Sequence, residues 1–210
     1  MRLVNAPEAS MRVSRAQAEH NRARVIDTAS HLFRERGLNG IGVADLMKAA
    51  GLTHGGFYRQ FDSKEDLVVA ACRHSVAQSR EAWSKVLTKA ANSRLAALVR
   101  FYLSRSHRDQ PGVGCPFAAL GPDAARAGNA VREAFAEGIE QRVAMLGELL
   151  RSRDAGTRRK QAIAMLSTMV GALLLSRAAG DEALSREILD AAADELITGH
   201  TAAPDTGTHP

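Results

Sequence analysis

From Val25 to Leu196 the apolar side chains return every three or four positions, and nowhere do they alternate long enough to make a half-buried strand. Val25, Ile26, Ala29, Leu32 and Phe33 form one such stripe near the start, and Leu184, Ile188, Leu189, Ala192 and Leu196 another near the end. A helix carrying a single apolar stripe must bury it against another helix, so the chain is expected to be all-α. Composition agrees. Aromatic residues are only 4% of the 210-residue chain, while alanine, leucine and arginine, which lose little side-chain freedom in a helix, recur throughout.

Caps and breakers divide the pattern into about nine helices. Residues 1–13 show no periodicity, and whether translation starts at Met1 or Met11 stays open. Ser14 with Gln17 has the form of a capping box opening a helix to Arg36, where Gly37 stops it. A short helix over 43–50 is interrupted by Gly51, and Thr53 is placed to cap the next, over 53–61. Ser63 and Asp66 cap a long helix over 64–90. Further helices are predicted over 94–107, 117–128 (broken or started at Pro122), 130–152 with the stripe Val131, Phe135, Ile139, Val143, Leu146 and Leu150, 158–179 and 182–199. The Pro/Gly-rich stretch 109–116 reads as a loop and 201–210 as a loose tail. The organisation predicted is a flexible 1–13, a unit over 14–63, a second over 64–200 and the tail.

Net charge is +5 and the pI about 9.7. Nine basic residues between Arg12 and Lys64 stand against five acidic ones, so most of that excess lies in the first third, which suits a polyanionic partner. Cys72 and Cys115 lack metal-ligand spacing and cannot make a disulfide framework, which fits a reducing compartment. No histidine pair has i, i+4 spacing, and no nucleophile elbow, P-loop or dinucleotide fingerprint occurs. The longest uninterrupted apolar run, Met169 to Leu175, is short for a membrane span, and no apolar run follows the basic residues at the N-terminus. The expectation is a cytoplasmic protein without metal, cofactor, enzymatic activity or membrane segment.

The most informative block runs from Val43 to Phe61: a short helix, a glycine at the turn and a second short helix, the pattern of a helix-turn-helix. Gly51 suits a turn that needs positive φ. Leu46, Leu52, Phe57 and Phe61 would hold the pair against the first helix, leaving the opposite face of the second free for a major groove. Gly55 and Gly56 would each cost a helix about 0.8–1 kcal/mol relative to alanine. That cost has a use where a backbone must approach DNA closely. Thr53, His54, Tyr58 and Arg59 are then the polar groups able to reach base edges or phosphates, and Lys64 adds charge at a helix N-terminus where a phosphate can sit.

The same stretch, residues 22–67, resembles the DNA-binding region of the TetR family of regulators. The resemblance is carried in order by residues 24–37, by Ala50-Gly51-Leu52-Thr53, by Phe57-Tyr58-Arg59-Gln60-Phe61 and by Ser63-Lys64-Glu65-Asp66-Leu67. Met47 departs from it, standing where many members carry alanine. The resemblance implies DNA contacts from Thr53, His54, Gly55 and Tyr58, a phosphate contact from Lys64, and Arg59 as a further candidate. It also implies a C-terminal helical domain for ligand binding and dimerisation, a palindromic double-stranded operator and repression relieved by an unidentified small molecule. Leu166, Val170, Leu173, Leu174, Leu184, Ile188 and Leu196 would form the dimer interface. Trp83, Phe101, Tyr102, Phe117, Phe135, Met145, Met165 and Met169 are candidates to line the effector cavity. Two other readings stand beside this one. The same DNA-binding protein could sense oxidants or electrophiles through Cys115, which lies near Arg105, His107 and Arg108 in sequence, or the chain could be a helical enzyme or interaction module whose N-terminal motif is coincidental.

Overall fold

The computed structural model describes residues 15–91 and 93–201, and among them every regular element is a helix. Helix α1, Arg15–Arg36, buries Val25, Ala29 and Phe33, the centre of its predicted stripe. It ends where Gly37, at φ +79°, turns its N–H back to the Phe33 carbonyl at 2.8 Å. Ser14 lies outside the described residues, as do residues 1–13 and 202–210, so the capping box expected there and the two tails are not described.

Helix α2, Val43–Ala49, buries Leu46 and Met47 and closes at Gly51, φ +68°. The element that follows departs from expectation. His54–Arg59 is a 3₁₀ helix rather than an α-helix over 53–61. Its ladder is of the tighter type, with Gly56 N–H donating to the Thr53 carbonyl at 3.0 Å and Gln60 N–H to Phe57 at 2.9 Å. Two adjacent glycines in six residues leave too little helix-forming preference for a regular α-turn. Thr53 occupies the cap position, but its side chain makes no capping hydrogen bond. Ser63 does cap: its Oγ accepts from Asp66 N–H at 3.0 Å and opens α3, Lys64–Lys89.

In the second half, the helix expected over 94–107 is two, α4 (Arg94–Tyr102) and α5 (Arg105–Asp109). Ser104 divides them, donating its hydroxyl to the Phe101 carbonyl and accepting from His107 N–H. The loop expected over 109–116 contains a 3₁₀ turn, Pro111–Val113, and Pro116 rather than Pro122 begins α6, Pro116–Arg126. Proline needs no amide donor in a first helical turn. Pro122 rides inside α6, exposed. α7, Asn129–Gly147, stops before the expected 152; α8 spans Ala155–Ala178, opened by Asp154, whose carboxylate accepts from Thr157 N–H at 2.6 Å; α9 spans Glu182–Thr201.

One hydrophobic cluster runs from Val25 to Leu196. α3 packs on α1 and on α7, α7 on α8, and α8 on α9, while α6 reaches α1, α7 and α8. Among the described residues α8 is the one helix long and apolar enough to cross a bilayer, which the run from Met169 to Leu175 alone did not suggest. Its inner face, including Ala162, Met165, Leu166, Met169 and Leu173, is packed in the core.

Candidate nucleic-acid interface

The geometry around residue 55 follows from what is anchored and what is left free. Phe57 and Phe61 are buried and stacked at 5.5 Å between centroids, with Leu46 and Met47 buried beneath the pair of helices. Met47 Cε lies beside Gly56, where an added Cβ would stand in ordinary contact at 3.6 Å, so the larger side chain fits without crowding the turn. From α1, Arg22 lies over the Phe61 ring and donates to the Gln60 carbonyl at 3.4 Å, while Arg24 donates to the Ala50 carbonyl. The turn is therefore fixed by its apolar side and its backbone.

Its other side faces solvent. Thr53, His54, Gly55, Tyr58 and Arg59 are all exposed, Tyr58 at 68%. Nothing stands within 4 Å of where a Gly55 Cβ would be, so a surface of duplex DNA can approach the backbone itself there. His54 and Tyr58 meet edge to face at 6.0 Å, and Tyr58 stands likewise on Phe57 at 5.2 Å. Tyr58 is propped outward by these contacts. Lys64 is half-buried and its Nζ donates to the Ile41 carbonyl at 3.1 Å, which ties α3 to the approach to α2 and leaves the ammonium further donors. The structure thus brings the six sequence-predicted DNA residues to one end of the molecule, five of them exposed.

The predicted cavity residues separate into two groups. Phe117 and Phe135, edge to face at 5.7 Å, line an apolar cleft of about 430 Å³ between α6, α7 and α8, with Ile139, Leu166 and Val170. Trp83, Tyr102, Met165 and Met169 are fully packed core and line no part of that cleft. Met145 is half-buried against Arg142, and Phe101, 38% exposed, lies parallel to the His107 ring. The dimer stripe needs a similar correction. Leu166, Leu173 and Leu196 are buried within the chain, because α8 and α9 turn those positions inward toward each other and α7. Val170 and Ile188 are half-buried, and the free apolar surface is Ile163, Leu174, Leu175 and Leu184.

Cys115 is buried, 2% exposed, with its backbone N–H donated to His107 Nε2 at 2.8 Å. Arg105 and Arg108 do not surround its thiol as their sequence positions suggested. They reach Glu182, and Arg108 also pairs with Asp109. Because Nε2 accepts, Nδ1 carries the proton and donates to the Tyr102 carbonyl at 2.6 Å. Burial pushes the His107 pKa down to about 4, so the ring is neutral. Cys72 is plain packing on α3, its thiol pushed up to about 12 by burial.

Two features escaped the sequence. Arg142 is a fully buried arginine, whereas the stripe Val131, Phe135, Ile139, Val143, Leu146 had placed Ile139 inward. The buried positions of α7 are Val131, Ala134, Phe135, Gly138, Arg142, Val143 and Leu146, so the stripe holds except at Ile139, which is 42% exposed. A charge seven residues beyond Phe135 on one face was the available signal. The second is Arg34, which joins the N-terminal helices to the rest. It donates to the Gly114 carbonyl at 3.1 Å and to Gln78 Oε1 at 3.0 Å, and Gln78 in turn donates to Asp27 at 2.9 Å.

Comparison with known proteins places both halves. Residues 25–71 match the family model described as bacterial regulatory proteins, tetR family, and residues 91–192 match the tetracyclin repressor-like C-terminal domain. The HTH-type transcriptional repressor KstR2 of Rhodococcus jostii is 47% identical over 47 residues, 22% of this chain and 23% of that protein, so the match spans about a quarter of this relative's length. The HTH-type transcriptional repressor NemR of Escherichia coli is 28% identical over 136 residues, 63% of this chain and 68% of that protein. Its reduced-form crystal structure shares the fold at a TM-score of 0.71 and 21% identity, covering 84% of this chain and 95% of that one. A regulator from Chloroflexus aurantiacus superposes at 0.73 with 25% identity over 87% of this chain and 95% of its own.

Proposed function

Because the chain belongs to the TetR family of bacterial regulators, we propose that it is a cytoplasmic homodimeric repressor whose residues 14–63 read a palindromic operator and whose residues 64–200 bind a small-molecule effector and the partner copy. The observation that carries this reading is the end of the molecule around Gly55. Polar side chains stand exposed on a backbone that is open to approach and anchored from behind by Phe57 and Phe61. Thr53, His54 and Tyr58 reach base edges, Arg59 and Lys64 the phosphates, and the bare Gly55 lets the turn sit deep in the major groove. The exposed leucines of α8 and α9 supply the face on which two chains meet, setting two readers about one helical turn of DNA apart.

Release follows from differential affinity: the effector binds more tightly to the arrangement whose readers are wrongly spaced. Burial of Cys115 denies a dissolved oxidant a direct path to the thiol, which favours a bound effector over thiol sensing. The deciding experiment selects bound duplexes from a random pool and measures affinity for the winning sequence against salt. A palindrome and a steep salt slope are expected, with Tyr58→Ala or His54→Ala weakening specific binding roughly tenfold or more while stability is unchanged. No selected sequence, or unaltered affinity in both variants, would overturn the assignment.

A further inference from the structure

Arg34 and Arg142 are the only charged side chains in the buried class among the described residues, and no aspartate or glutamate joins them. Arg34 is satisfied by its ladder of acceptors on Ser30, Gly114 and Gln78. Arg142 is not. Its guanidinium lies over the Trp83 ring at 4.6 Å, donates to the Val76 carbonyl at 3.0 Å and reaches only the Met145 sulfur at 3.5 Å, and its Nε has no partner. The fully buried Tyr102 hydroxyl nearby stands beside the Cys115 thiol and has no nitrogen or oxygen partner. Burial lowers the Arg142 pKa to about 10, which still leaves the group charged at neutral pH.

A planar cation with five donors, served by one carbonyl, a thioether and an indole face, lacks a flat acceptor with two oxygens. The unsatisfied Nε and the Tyr102 hydroxyl are both donors that a carboxylate would accept. Arg142 and Tyr102 are fully buried and line no part of the cleft beside α7, so a ligand reaches them only when the packing between opens. The apolar cleft walled by Phe117 and Phe135 lies on the same face, and Arg142 stands seven residues further on, about 10 Å along the axis. Between them Gly138 has no side chain; a Cβ there would meet Val76 at 2.9 Å and Phe117 Cζ at 3.1 Å, so the tip of Phe117, a wall of the cleft, packs on the same turn of α7 as Val76, whose carbonyl Arg142 holds.

We propose that the effector is a monocarboxylate with an apolar body, its carboxylate held by Arg142 and Tyr102 and its body in the Phe117–Phe135 cleft. The proposal rests on the ligand-responsive reading above and supplies the chemical class which that reading leaves open. A medium-chain or phenylalkyl acid has the required reach. Phe117 turns aside as the carboxylate enters, and because Phe117 sits on α6, which packs on α1, its movement is felt at the reading end.

The test uses the full-length protein with octanoate and 4-phenylbutyrate as probes, and their neutral amides as controls, read by thermal denaturation and by titration calorimetry. The carboxylates are expected to raise Tm and the amides not to. Arg142→Met keeps the length and the apolar packing; it is expected to leave the probe-free Tm equal or higher, since a buried unpaired charge is gone, and to weaken carboxylate binding about tenfold or more. Tyr102→Phe removes one donor and is expected to weaken binding severalfold with Tm unchanged. Equal response to acids and amides, no response to either acid, or an undiminished response in Tyr102→Phe together with Arg142→Met that is either undiminished or unfolded would overturn it. Operator affinity without probe is measured separately. A protein that binds the acids but never binds DNA retains this site and loses the regulatory reading, and one that binds DNA but ignores the acids does the reverse.

Discussion

Two regions of this molecule treat polar side chains in opposite ways. Around Gly55 the side chains of Thr53, His54, Tyr58 and Arg59 are exposed and the structure holds them only from below, through Phe57, Phe61 and backbone contacts from Arg22 and Arg24. Around Arg142 the polar groups are enclosed, the guanidinium Nε is unmet and the Tyr102 hydroxyl has only the Cys115 thiol beside it. An exposed donor without a protein partner costs nothing, because water serves it; an enclosed one costs about 1–3 kcal/mol, more if charged. The first region is therefore free to change its chemistry with little effect on stability, and the second is not.

The largest way to break that contrast is to remove the anchor rather than the display. Phe57→Ala empties a fully buried site and is expected to cost about 3–5 kcal/mol, lowering Tm and abolishing DNA binding together. If chemical denaturation showed the variant as stable as the parent, the exposed region would not depend on its apolar underside. Acid should act on the other region. His107 is held neutral, its pKa near 4 against about 6.5 in the unfolded chain, so its contribution is complete above pH 6.5 and is lost as pH falls toward 4. The loss amounts to a few kcal/mol at most, at about 1.4 kcal/mol per unit. Stability measured across that window should fall less in His107→Gln than in the parent, and parallel curves would remove His107 as the cause.

Smaller effects sharpen the comparison. Ser63→Ala removes the cap that starts α3 just beyond the reading turn, and about 1 kcal/mol should be lost in urea titration. Gly55→Ala is the most discriminating. With open space around the added methyl, stability should stay level or rise by less than about 1 kcal/mol, while operator affinity drops because the methyl stands between backbone and groove. A variant that kept full affinity would show that the turn does not approach the DNA through Gly55.

Much of this was legible in the residues. The stripe of α1, the left-handed glycines at 37 and 51, and the Ser63 cap each follow from local chemistry, and the structure has them where expected. The block from Ala50 to Leu67 also announced which end would present polar groups. What failed was information held by distant partners. Periodicity placed Ile139 inward on α7 with the rest of its stripe; the other members are buried, but the neighbouring helices decided where the edge of the covered face falls, and an arginine went in while that isoleucine stayed out. Leu166, Leu173 and Leu196 looked available for a second copy only because α8 and α9 had not yet been folded onto each other. The proximity of Arg105 and Arg108 to Cys115 in sequence misled for the same reason, since Glu182 draws both away.

Arg34 has a consequence of its own. It clamps α1 to the Gly114 carbonyl and to Gln78 of α3 with little slack, while the His31 ring closes on Gly112 so tightly that a Cβ there would lie 2.4 Å from it. The N-terminal helices are thus bolted to the body instead of hanging from a tether. In a pair of such chains the interval between recognition sites is dictated by the protein, so lengthening the operator's central spacer by half a turn, about five base pairs, would put one half-site on the wrong side of the duplex, with no linker able to make up the difference.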